Sequence, residues 1–295
     1  MVLLLVPWLT QRVPLAPRPD EVRHAVIPER PQEAATGSAF IERLRDLSDD
    51  AREHEILEQL QLGNLPSFLR QLRPVDVVAK GADGRRHRGR YWVMPDYLAI
   101  GTDEDFVRIP MTPITAQLVA DRFDCVLPTR RMVEQIFRKS RIHLAPEPLP
   151  AGPDMTSSEY FRRHNELISA QLKGKAPGEL VSGHKKDVVT TKRLLRNPAR
   201  VAIYGWHKRD GRPIQSLSLY HPNSYVDYSH GIRLVGAVML VDGAQRSVAE
   251  VLKNPALAPL LSDEGPLAKT RLCTEPSRSQ CLEAMPSDRL GALVR

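Results

Sequence analysis

The sequence predicts an α+β protein, with a helical N-terminal half packed on a late, mainly antiparallel sheet. Two observations carry this expectation. Apolar residues recur at helical spacing in "FIERLRDLSDDAREHEILEQLQL", "TPITAQLVADRF" and "TSSEYFRRHNELISAQLKG". From Pro177 the runs "RVAIYGW", "IQSLSLY" and "IRLVGAVMLVDG" instead read as strands separated by turn residues. Helices gathered first and strands later favour α+β over an alternating α/β order.

Each element has local support. Ser48 before Asp49, Asp50 and Glu53 resembles a capped helix start, and Gly63-Asn64 ends that helix. "LPSFLRQL" is a short helix with Pro66 at a tolerated early position. "VDVVAKGADGRRHRGRYWV" reads as a hairpin around Gly-Ala-Asp-Gly. Thr112 with Pro113, and Thr129, are expected to cap two further helices. "SVAEVLKNPALAPLL" is a closing helix. The expected organisation is an export-signal remnant or disordered arm over 1–37, one α+β domain over 38–261, and a poorly ordered polar tail over 262–295.

The 295 residues carry a net charge of +7 and 42% hydrophobic residues, enough for a substantial core. The basic balance favours an anionic small molecule, peptide or glycan as partner. No aromatic-basic pattern of a nucleic-acid module appears, so no specific nucleic-acid partner is expected. "MVLLLVPWL" has the length of a signal-peptide apolar core and is too short to span a bilayer; no other segment looks transmembrane. Export to a periplasm or the extracellular space is the expectation, with the cytoplasm as the alternative. Of three cysteines, Cys273 and Cys281 are placed to close a small loop in an oxidising compartment, which leaves Cys125 as the single thiol.

The chemistry concentrates in the late loops. "GHKKDVV" sets His184 beside Lys185, Lys186 and Asp187; "YGWH" puts His207 at a strand end. "HPNSYVDYSHGIRL" carries His221, Tyr225, Asp227, Tyr228, Ser229, His230 and Arg233. Loops at a sheet edge hold catalytic groups where a scaffold fixes them and substrate reaches them. Cys125 precedes a helical run whose N-terminal partial charge would lower a thiol pKa. The expected catalytic set is therefore Cys125 as nucleophile, with His184, His221 or His230 as base and Asp227 or Asp187 as orienter. Lys185, Lys186, Tyr225, Tyr228, Ser229, Arg233 and Asp96 are the expected substrate-binding groups. Asp96, a carboxylate in an apolar strand, needs a partner, for which Arg233 or a lysine is expected. No HExxH helix or CxxC pair occurs, so neither metal nor cofactor is the first expectation; a metal would draw on His184, Asp187, His221 and His230.

Two resemblances bear on function. Ser229-His230-Gly231 followed by Arg233, with His221 upstream, resembles the Ser-His-Gly-Cys motif of the L,D-transpeptidases, with Ile232 at the position of the nucleophilic Cys. "FDCVLPTRRMVEQIF", "PGELVSG" and "RVAIYGWHKRDGRPIQSLSLYH" are similar to the segments of NlpC-type papain-like cell-wall peptidases, over Phe123 to about His221. There Arg200 stands at the place of the family's histidine, so the base would come from His184, His207 or His221. Both resemblances imply cell-wall peptides. The resulting expectation is an exported hydrolase that cuts an amide-like bond with a Cys/His site. Non-catalytic binding of an anionic glycan or peptide, and a metal-dependent hydrolase, are the alternatives.

Overall fold

The hairpin Gln71–Lys80 and Arg86–Val93 sets the frame of the molecule, paired in register from Arg73–Val93 to Lys80–Arg86. The computed structural model describes residues 23–275 and 278–283; the apolar N-terminal stretch, and the export expectation resting on it, lie outside them. Side chains alternate across a strand. Trp92 and Met94 therefore face one apolar cluster while Tyr91 and Val93 face another.

The first cluster receives Ile56 and Leu60 of helix Asp49–Gln61, with Ala116 and Val119 of helix Pro113–Arg122. The second receives Met132 and Ile136 of helix Arg130–Lys139, with Val251 and Leu252 of helix Val248–Lys253. The helix starts follow their caps. Side-chain oxygens of Ser48, Thr112, Thr129 and Ser157 each accept a backbone N–H of the first turn, worth about 1 kcal/mol apiece.

The α+β class holds, but the helices do not simply precede the sheet. Val235–Gly236 inserts between Arg86–Val93 and Cys125–Val126, and the hairpin Val238–Val241 and Ala244–Ser247 extends the same sheet. Only His230–Gly231 of the run "SHGIRLVGAVMLVDG" stays with the other late strands. These form a second sheet in the order Pro213–Ser218, Ile203–His207, Lys186–Val188, His230–Gly231, with the last pair parallel. The early "LPSFLRQL" is a single 3-10 turn, Ser67–Arg70, that leads straight into the long strand.

The expected tail is docked over its first part. Leu267 and Leu272 are buried, Arg271 pairs with Asp121, and the Leu272 N–H donates to Gln117. Cys273 and Cys281 form a disulfide. Among the described residues no helix is long and apolar enough to cross a membrane.

Candidate functional site

The site is built on the strand Lys186–Val188. Lys186 lies opposite Gly205 on one side and opposite His230 on the other. The segment Asp227–His230 is a tight turn, for which Asp at the first position and Ser two residues on are suited. The Ser229 N–H and hydroxyl both donate to Asp227 Oδ1, and the His230 N–H donates to the Asp227 carbonyl. The turn drops Gly231 onto the face of Tyr97, where a Cβ would lie 2.6 Å from ring carbons. Only glycine allows that approach.

Around Lys186 stand five side chains. Its ammonium lies 5.0 Å over the Trp206 ring, a cation–π contact. The Tyr225 hydroxyl donates to Asp227 Oδ2 at 3.2 Å, and His230 Nε2 lies 3.9 Å from the same oxygen. His221 stacks on Tyr225 with centroids 3.9 Å apart, and the edge of Tyr225 meets His230 at 5.8 Å. His230 is fully buried, and neither ring nitrogen has a protein partner. Such a group costs about 1–3 kcal/mol unless something bonds to it. Burial drives its pKa down to about 4 against the pull of Asp227, with Lys186 and His221 adding to the fall. It is therefore neutral at pH 7. Asp227 stays ionised: burial pushes its pKa up, but His230, Ser229 and Lys186 outweigh burial and hold it low.

Trp206 marks the same place. Its φ is +55°, strain of about 1–3 kcal/mol for a bulky residue, and its indole N–H has no protein partner. The sheet register is interrupted between Ile203 and Gly205, just before it. The strand turns the indole toward Lys186 at this break.

Behind the strand lies a second, wholly interior network. Asp96 Oδ2 accepts from Arg108 at 2.7 and 2.8 Å, and Oδ1 accepts from His184 Nε2 at 2.9 Å. The proton therefore sits on His184 Nε2, which leaves Nδ1 as an acceptor without a protein partner. Burial would raise the Asp96 pKa, but Arg108 and His184 outweigh it and hold the carboxyl far below the usual range. Burial lowers His184 to about 4. Lys185, 1% exposed, donates to the Tyr228 carbonyl at 2.7 Å and reaches His164 at 3.4 Å. Burial, then Arg108, lowers its pKa to about 7. Asp187 accepts from the Tyr97 hydroxyl at 2.8 Å and is raised to about 6, chiefly by burial.

The expected site thus divides. Lys186, His221, Tyr225, Asp227 and His230 come together. His184, Asp96, Lys185 and Arg233 belong to the interior network, and Arg233 spends its guanidinium on the Met94 and Val181 carbonyls and on the Tyr97 face. Asp96 is partnered by Arg108 and His184, not by Arg233 or a lysine. Tyr228 packs among Tyr160, His164 and Trp206, with its hydroxyl bonded to Leu149. Ser229 is fully buried and spends its hydroxyl on Asp227. His207 bonds Glu134 and stacks on Phe137.

Cys125 is the largest correction. It lies in a strand opposite Gly236, and the nearby helix starts only at Arg130, so no helix terminus activates it. Its sulfur bonds the Phe123 carbonyl, and burial pushes the thiol up to about 12 rather than down. Among the described side chains no histidine bonds it or lines the crevice beside it. Nor do His184, Asp187, His221 and His230 converge: among the described residues no group of three or more His, Cys, Asp or Glu is placed to hold a metal ion. Arg108, Trp206 and His164 are not among the residues the sequence singles out. Arg108, a lone charge in the apolar strand "FVRI", and the Gly-Trp pair in "IYGWH" are the signals that were there to find.

Comparison with protein-family profiles, curated proteins and solved structures finds no match for this chain.

Proposed function

We propose that the chain binds a carboxylate-bearing ligand at Lys186, His221, Tyr225 and His230, and that any chemistry there is proton transfer rather than covalent catalysis. The carrying observation is His230. A fully buried imidazole with two unpartnered nitrogens, beside an ionised Asp227 and a lysine, is arranged to receive a ligand's hydrogen bonds. Lys186 supplies the opposite charge for an anion, and half-buried Tyr225 and His221 offer flat apolar faces.

The hydrolytic alternative needs a thiolate within reach of a histidine. The raised thiol of Cys125 and its bond to Phe123 weigh against that role. The Cys273–Cys281 disulfide supports an oxidising compartment, hence export.

Calorimetric titration with glucuronate and with glucose tests the binding reading. Glucuronate is expected to bind and glucose to bind at least about tenfold more weakly, the equivalent of about 1.4 kcal/mol. Lys186→Met should remove that preference. Equal affinity for the two sugars, or an unchanged preference in Lys186→Met, would contradict the proposal.

A further inference from the structure

A cleft of about 560 Å³ opens beside this site, lined by Asn197, Arg200, Leu219, Tyr220, His221 and Pro222. Its volume is that of a small-ligand pocket. Tyr220 is 80% exposed, and its ring stands at 88° to His221 with centroids 4.9 Å apart, so the two rings make a corner. The Arg200 guanidinium is fixed at the rim by donating to the Tyr220 carbonyl at 2.7 Å. No described carboxylate pairs with Arg200, and no acid lines the cleft. His221 is shared with the site above. The rings of Tyr220, His221, Tyr225 and His230 form a continuous row from the exposed corner to the buried imidazole.

From this geometry we infer an outer subsite for a second pyranose unit, so that the ligand is a short acidic glycan with a carboxylate on successive units. The inference rests on the proposed carboxylate site and extends it. One unit's carboxylate meets Lys186; the next unit packs its C–H face on the corner and presents its carboxylate to Arg200, a fork suited to two oxygens. Asn197 stands at the same rim; its amide nitrogen donates to the Arg193 carbonyl, so its side-chain oxygen is the group to meet a ring hydroxyl. A peptide docked by strand addition is the less suitable occupant, because that mode needs unpaired main chain. The main chain here is already used: Arg200 bridges Pro222, the Val201 N–H donates to His221, and the Asn223 N–H donates to Ala199.

Titrations with glucuronate, tri-galacturonate and triglutamate test this, using the full chain, Tyr220→Ala and Arg200→Met. Both changes lie on the surface, and thermal melts check that each variant is folded. The trisaccharide is expected to bind about tenfold more tightly than the monosaccharide, and each variant to lose most of that gain while its glucuronate affinity stays within about twofold. Trisaccharide affinity unchanged in Tyr220→Ala and Arg200→Met overturns the outer subsite alone. Triglutamate bound as tightly as the trisaccharide, and weakened by the same variants, overturns the glycan in favour of a peptide. Failure of glucuronate itself to bind overturns the carboxylate site, and the outer subsite with it.

Discussion

His184 Nε2 lies 2.9 Å from Asp96 Oδ1, inside the protein, and Arg108 holds the other oxygen of the same carboxylate. All three side chains are buried. Removing the charge that Arg108 neutralises would strand a buried guanidinium, a change that costs about 3–5 kcal/mol. Asp96→Asn is therefore expected to lower unfolding free energy by that amount in denaturant titrations. Glucuronate affinity should persist where the variant remains folded, because the pair supports the site from behind and does not line it.

Acid should destabilise the fold above the range in which ordinary carboxylates titrate. Burial holds His164 at about 2 and His184 and His230 at about 4. Below the ordinary value of about 6.5 the unfolded chain takes up these protons and the folded chain does not, so stability falls as pH drops from 6.5 toward 4. Asp187, raised to about 6, works in the opposite sense over part of that window and offsets roughly one of the three histidines. Urea midpoints between pH 4 and 7 should fall with acid, with a shallower slope in His230→Asn. Flat midpoints would contradict the burial of these imidazoles as neutral groups.

Cys125 should be chemically silent. A thiol raised to about 12 is almost wholly protonated at neutral pH. Iodoacetamide at pH 7.5 is expected to leave it unmodified in the native protein and to label it after unfolding. Cys125→Ala should leave glucuronate affinity unchanged. Rapid native labelling, suppressed in a histidine variant, would restore the covalent reading.

The disulfide should brace the ligand loop. The Asn223 amide, buried between His221 and Tyr225 in the chain, donates at 2.8 Å to the Glu275 carbonyl inside the loop that Cys273 and Cys281 close. Closing so short a loop is worth about 2–3 kcal/mol. The double change Cys273→Ser, Cys281→Ser should lower the melting temperature and weaken glucuronate binding. Equal binding with a lowered melt would separate the clamp from the site.

Much of the fold was legible because its signals are local. The caps at Ser48, Thr112 and Thr129 are short-range chemistry, and each helix begins where its cap sits. The hairpin after Gln71 follows from its Gly-containing turn. The site was legible only as a set of residues. Lys185 and Lys186 stand side by side in the sequence as expected substrate-binding groups, yet neighbours on an extended chain point opposite ways. One is buried against Tyr228 and the other faces Trp206. That Asp96 needs a partner follows from its apolar surroundings, but its pairing with a histidine 88 positions away is set by tertiary packing. For Cys125, Pro128 and Thr129 place the helix start too far along to activate the thiol.

Nitrogen-15 NMR of histidine-labelled protein at pH 7, titrated with glucuronate, tests the central claim most directly. The His230 ring nitrogens should shift on saturation as they gain hydrogen-bond partners, while those of His207, bonded to Glu134, stay still. The shift should disappear in Lys186→Met. His230 resonances that do not move at saturating ligand would contradict the account.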